Sequence, residues 1–294
     1  MQLKGLGIFA FLDAMSGPET ARFARTAESL GYEALWYPEW YGRESFTHAA
    51  YLLGATERLI IATGIANVFK RSAVSAISAA NTLAEIYPER FVLGLGVSHA
   101  PSNARRGIDY QKPLTHMREY LAAMKEAPYT APPPRTPAPV VLAALLPKML
   151  ELAGETSGTH TYFVSPEHTA RARKIVGPDK WVCAAQAVIL EADEDKGRAA
   201  AHAYVNHYIK LPNYQRHLNL LGFEESDYRD GASDRLASAI VAWGTAAKIR
   251  ERIAEHRAAG ASHVCILPLR PVTDEPPGLW FPDMKALAQL APSA

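Results

Sequence analysis

The chain is poor in cysteine, in net charge and in long apolar runs, and each shortage removes a class of function. Two cysteines in 294 residues cannot build a disulfide framework or a cysteine-rich metal site. Cys183 and Cys265 lie inside "WVCAAQAVIL" and "HVCILPL" and read as buried strand residues. Lysine and arginine number 31 against 30 aspartates and glutamates, so no global field draws the protein to nucleic acid or an anionic membrane. No stretch approaches the roughly 20 apolar residues of a membrane helix, and "MQLKGLGIFAFLDAM" reads as a strand rather than a signal peptide. The expected location is the cytoplasm. Metal motifs are missing too: there is no H-E-x-x-H, and His160 and His168 of "GTHTYFVSPEH" fall on different elements. Neither a G-x-S-x-G elbow nor a Walker loop is found, and no repeat of 20–50 residues.

What is present is a 48% hydrophobic chain, ample for a large core. Short apolar runs alternate with helical patterns. Strands are expected at 3–11, 33–40, 59–68, 90–97, 140–145, 160–164, 181–190 and 263–269. Helices are expected at 17–32, 46–56, 73–87, 114–127, 148–156, 168–177 and 245–260, the first capped by Ser16 with Pro18 in its first turn. Eight continuously apolar strands, each beside a helix, argue for parallel pairing buried on both faces. Eight closes a (β/α)8 TIM barrel, a single domain over 1–294; a doubly wound open sheet is the rival. The stretch 191–244 is helical in pattern but too long for one crossover, and reads as a helical insertion after the seventh strand. The proline-rich 128–139 reads as a stiff surface loop.

In a barrel the strand ends carry the chemistry. The fourth strand ends "RFVLGLGVSH", residues 90–99. It lacks the third glycine of a dinucleotide fingerprint. Gly96 would instead let a flat ring lie against backbone, with Val97, Ser98 and His99 at the rim. His99 reads either as a rim group or as a satisfied loop histidine. The second strand ends in Glu39 and Trp40, a carboxylate beside an aromatic that suits proton transfer or is simply a surface pair. Thr63, Gly64 and Asn67 end the third strand, and Lys70–Arg71 follow. Arg105–Arg106 form a second basic pair, so the two could hold an anion or merely be solvated. Ala144, Leu145, Leu146 and Pro147 lead into a helix whose free amides suit a phosphate.

Taken together, "ESLGYEALWYPEWYGRE", "TGIANVFKR", "NTLAEIYPERFVLGLGVSH", "KPLTHMREYLAAM", "VVLAALLPKMLELAGE" and "WGTAAKIRERIAEHRAAGASHVCILPL" resemble the luciferase-like monooxygenase superfamily. More narrowly they resemble its coenzyme F420-dependent oxidoreductases of actinobacterial type, over nearly the whole chain. The resemblance implies a (β/α)8 barrel with an insertion and a deazaflavin in its mouth. The ring would rest on a bulge at Thr63, Gly64 and Ile65, often with a non-prolyl cis peptide. Gly96 to His99 would line its polar edge, and the turn 144–147 would hold the phosphate. Two departures stand out: Trp40 occupies the place of a histidine, and Leu146 the place of a turn glycine.

The implied chemistry is hydride transfer between the deazaflavin C5 and a small organic substrate. His99 or Glu39 is the proton donor or acceptor, Trp40 and Phe69 shape the pocket, and Arg105, Arg106, Lys70 or Arg71 meets the cofactor's anionic tail. The alternatives are an FMN-dependent monooxygenase on the same fold and a barrel that binds flavin without catalysis. The family also implies a homodimer.

Overall fold

Eight strands close on themselves in the computed structural model, which describes residues 1–275 and 280–292. The strands are β1 (Leu6–Phe9), β2 (Ala34–Tyr37), β3 (Ile60–Thr63), β4 (Ala66–Asn67), β5 (Phe91–Gly96), β6 (Val140–Ala143), β7 (Gly158–Tyr162), β8 (Trp181–Leu190), β9 (Val241–Gly244) and β10 (His263–Leu269). The order is β10-β1-β2-β3-β5-β6-β7-β8, and β8 pairs with β10 to complete the ring. Every pairing is parallel, from Ile8 opposite Leu35 round to Cys183 opposite His263. This is the expected barrel. Two short strands lie off the ring: β4 against the end of β5, and β9 against the end of β8.

Helices cover the outside: α1 (Gly17–Ser29), α2 (Ser45–Gly54), α3 (Ala73–Ile86), α4 (Ala100–Ala104), α5 (Pro113–Lys125), α6 (Pro147–Gly154) and α7 (Pro166–Val176). Then come α8 (Glu194–Tyr208), α9 (Pro212–Leu220), α10 (Asp234–Ile240), α11 (Ala246–Ala258) and α12 (Met284–Leu290). Local sequence sets their starts. Glu19 accepts the Ser16 N–H at 2.7 Å ahead of α1, and proline stands in the first turn of α1, α4, α5, α6, α7 and α9.

The core has two layers. One joins the outer strand faces to the helices, through Leu35, Ile61, Leu93, Leu142, Ala76 and Leu150. The other fills the lumen with Phe9, Trp36, Val92 and Ala185, and runs without a break into Tyr204, Tyr208 and Leu236 of the insertion. The insertion is therefore packed on the mouth rather than hung beside it. Three expectations need correction. The third strand is not continuous over 59–68 but breaks after Thr63. The sixth spans 158–162 rather than 160–164, because Phe163 takes a left-handed φ of 61° and leaves the sheet. The stretch 191–244 is not all helical, since β9 ends it.

Candidate active site at the mouth of the barrel

The break in the third strand organises one side of the rim. Thr63 ends β3 with its hydroxyl donating to the Gly94 carbonyl (2.7 Å) and accepting the Gly94 N–H (2.9 Å). The next peptide, Gly64–Ile65, is cis. The chain then resumes as β4, with Asn67 opposite Gly96. The glycines of "LGLG" serve this bulge. A Cβ on Gly94 would stand 1.9 Å from the Thr63 carbonyl oxygen, and one on Gly96 would stand 2.5 Å from Ile65 Cγ1. The space beside Gly96, which the sequence offered to a flat ring, is taken on its side-chain face by Ile65. Gly64 in turn sits on the lumen, where a Cβ would meet Phe9 at 2.9 Å and His160 at 3.3 Å.

Glu39 is buried below this bulge and fully engaged. It accepts the Asn67 N–H (2.8 Å) and Arg71 Nη1 (2.8 Å), pairs with Arg71 Nη2, and meets Lys70 Nζ at 3.0 Å. Burial alone would raise its pKa. The Arg71 hydrogen bonds and charge, the Asn67 amide and Lys70 outweigh that and hold the carboxyl below its usual value. Arg71 also bonds Glu44 at 3.0 Å. Both cations of the pair 70–71 are thus occupied within the protein.

At the end of β5, Val97 and Ser98 turn the chain outward, Ser98 with a left-handed φ of 58°. Asn103 fixes the turn: its amide donates to the Val97 carbonyl and accepts from the Asn67 side chain, both at 2.9 Å. His99 lies against Tyr214 of α9, ring centroids 5.4 Å apart, with its Nδ1 buried and lacking a hydrogen-bond partner. Burial, opposed by the Asn213 side chain, lowers its pKa and keeps the ring neutral near pH 7.

The remaining expected residues scatter around this centre. Arg106 donates to the Trp40 carbonyl (2.9 Å) and the Ser102 carbonyl (3.1 Å) and lies over the Tyr41 ring, so it holds the loop together. Arg105 is exposed and makes no ion pair among the described residues. Trp40 packs edge-on against Tyr41. Phe69 stacks on His116 at 4.2 Å and tilts against Tyr110. Ala144 is buried, and Leu145, Leu146 and Pro147 are half-buried where α6 begins, with no side chain capping that helix.

Sequence reading missed the lumen and its cover. His160 stacks between Trp36 (4.5 Å) and Phe9 (5.6 Å), and burial pushes its pKa down to about 3. Above it, Tyr162 meets Tyr204 and Tyr208 of α8. The alternation in "THTY" and the spacing of four between Tyr204 and Tyr208 were the available signals.

A closed parallel barrel with its polar groups gathered at the strand ends is the architecture of the α/β-barrel proteins that work at that rim. More narrowly, the chain belongs to the luciferase-like monooxygenase family, whose model matches residues 6–263. It is 28% identical over 213 residues to a 5,10-methylenetetrahydromethanopterin reductase of Methanolobus tindarius, a match covering 63% of this chain and 65% of the relative. The chain thus spans slightly under two thirds of that relative's length. It is 24% identical over 253 residues to a protein of Mycobacterium tuberculosis named as a coenzyme F420-dependent oxidoreductase, covering 71% and 70%. A solved F420-dependent secondary alcohol dehydrogenase, in complex with an F420–acetone adduct, superposes with a TM-score of 0.76 at 14% identity, over 99% of this chain and 97% of that one.

Proposed function

We propose that this protein is a coenzyme F420-dependent oxidoreductase that transfers a hydride between the deazaflavin and a small organic substrate. The observation that carries the reading is the bulge at Gly64–Ile65, pinned by Thr63 on one side and Asn67 on the other and facing the lumen. The names of the Mycobacterium tuberculosis relative and of the superposed dehydrogenase support the choice of cofactor. When bound, the deazaflavin supplies the hydride chemistry; the chain's residues place it and exclude water.

Each group follows from its surroundings. Gly64 and Ile65 form the platform for the ring, held by Thr63 and Asn67. Gly96, Val97, Ser98 and His99 border its polar edge, and the buried, unpaired Nδ1 of neutral His99 is the hydrogen-bonding group there. Ala144, Leu145, Leu146 and Pro147 receive the phosphate at the start of α6, with the Leu146 side chain narrowing the approach. Arg105 is the cation for the anionic tail, while Arg106 shapes the loop beside it. Trp40 and Phe69 flank the rim. Glu39 is a positioning residue: its oxygens are spent on Arg71, Lys70 and the Asn67 amide, which leaves none for proton transfer. A fluorescence titration with F420 and then FMN tests this. The expected result is F420 binding at least about tenfold tighter than FMN. Preference for FMN turns the reading to an oxygenase, and binding of neither overturns it.

A cytoplasmic homodimer belongs to the same proposal. No described helix is long and apolar enough to cross a membrane. Tyr51 on α2 and Val74 and Ile86 on α3 are 46%, 43% and 54% exposed, a set of apolar groups on adjacent helices that a second copy would cover. Light scattering should give twice the 32.1 kDa chain mass, and a monomer would remove this part of the proposal.

A further inference from the structure

Three tyrosine hydroxyls meet where the insertion covers the lumen, and the cofactor reading leaves them unused. Tyr162 ends β7 two residues after His160, so it faces the lumen as His160 does. Its ring lies 5.0 Å from Phe9 of β1, on the far side of the barrel. Tyr204 and Tyr208 stand one turn apart on α8. Tyr204 donates to the Tyr162 oxygen at 2.8 Å, and the Tyr162 and Tyr208 oxygens are 2.8 Å apart. Tyr204 and Tyr208 are only 4% and 7% exposed, whereas Tyr162 remains partly exposed.

Proton counting makes the arrangement informative. Three hydroxyls carry three protons, and two oxygen–oxygen contacts use two of them. Among the described residues nothing else accepts a bond from any of the three. One O–H is left over. Tyr208 is only 7% exposed and its ring is packed by Phe163, Tyr214, His207 and Trp280, so a spare O–H on it would be an unmade buried hydrogen bond. With Tyr208 donating instead, the spare proton sits on Tyr162, the member of the three that reaches the mouth.

The geometry points to Tyr162 as a catalytic residue that donates its O–H to an oxygen of the substrate, which makes the substrate a carbonyl compound, or the corresponding alcohol in the reverse direction. The inference rests on the hydride-transfer reading. When bound, the reduced cofactor would supply a hydride to the carbonyl carbon and itself be oxidised by two electrons. The C–O π pair would move onto oxygen, and the Tyr162 proton would complete the alcohol. Tyr204 and Tyr208 both donate to the Tyr162 phenolate until solvent returns its proton. An iminium takes a hydride to a neutral amine and needs no donor, whereas the alkoxide formed from a carbonyl takes its proton directly from a phenol bonded to its oxygen.

The test compares the wild type with Tyr162→Phe, which deletes one oxygen and keeps the ring. Three quantities are measured: F420 binding; single-turnover oxidation of reduced F420 by acetophenone and cyclohexanone in H2O and D2O; and the infrared carbonyl stretch of acetophenone bound to protein without cofactor. The variant should bind F420 as the wild type does, reduce the ketones about 100-fold more slowly, and lose the solvent isotope effect. The carbonyl band, shifted to lower frequency in the wild type, should return toward its free position in the variant. Tyr204→Phe and Tyr208→Phe should each slow reduction less, since Tyr162 keeps its proton. An unchanged rate or an unchanged band in Tyr162→Phe overturns the inference. F420 binding by a wild type that reduces neither ketone and shifts no band overturns the substrate class and spares the cofactor. Absence of F420 binding overturns the cofactor reading, and the infrared comparison still decides the role of Tyr162.

Discussion

Glu39 shows how surroundings assign a role to a side chain. A carboxylate beside Trp40 at a strand end looks like a proton donor in sequence, because Lys70 and Arg71 lie more than 30 positions away and their approach is a property of the fold. In the folded chain the Glu39 side chain is fully buried, that of Arg71 is 9% exposed, and the pair is closed by the Asn67 amide. Removing one partner of a buried pair strands the other, so Glu39→Gln should cost about 3 kcal/mol in urea unfolding at pH 7. The pH dependence separates positioning from proton transfer. The folded pKa is lowered, so the contribution is fully present above the unfolded value of about 4.3 and is lost only as pH falls through the lower folded value. The gap between wild type and variant should therefore be constant from pH 8 to pH 6. A gap that shrinks across that window would mean that Glu39 titrates near neutrality and serves as an acid or base after all.

At the scale of elements, β3, the bulge and β5 behave as one unit. Gly94 admits the Thr63 carbonyl, a rigid backbone group, so Gly94→Ala should abolish soluble folded protein. Gly96 faces Ile65 Cγ1 at 2.5 Å and Cδ1 at 2.8 Å, the end of a side chain that can be shortened. Gly96→Ala should thus lower stability by about 2 kcal/mol and weaken cofactor binding, and adding Ile65→Ala should recover part of both. Purely additive losses in the double mutant would show that the two residues do not share this contact. The same unit marks the limit of legibility. "LIIATGIANV" is apolar and β-branched throughout, so periodicity gives one strand; only the family resemblance pointed to a cis bond at its centre. Seven of the eight ring strands were readable because each holds a buried apolar run of four or more residues; β7, GTHTY, has no such run, and its bounds were misplaced. The four-residue "VAWG" of β9 begins directly after Ile240, the last residue of α10, with no turn residue between, so the helical pattern runs into it. The tyrosine cluster was hidden for another reason: β7 and α8 supply it from 42 and 46 positions apart.

The whole molecule buries an unusual set of neutral histidines, and its stability should show it. Burial pushes His48 and His217 down to about 4, and His160 and His256 down to about 3. They tie distant layers together: His48 meets Thr20 across α1 and α2, His160 lies in the lumen, His217 packs edge-on against His168 between α9 and α7, and His256 bonds Thr169 and Gln186. Unfolding returns all four to ordinary values near 6.5. A depressed folded pKa contributes stability that is full above the unfolded value and is lost as pH falls from there toward the folded one. Carboxylates held low by ion pairs act in a lower window, so the histidines govern the fall from neutrality. Between pH 7.5 and 5.5 the four together give about 5 kcal/mol, a large part of the stability of an ordinary domain. Urea unfolding at the two pH values should show a loss of that size, and His217→Gln should reduce it by about one histidine's share. Stability that stays level from pH 7.5 to 5.5 would mean that these rings reach solvent or a counter-charge before the chain unfolds, and the insertion would then be a looser cover on the barrel than its packing implies.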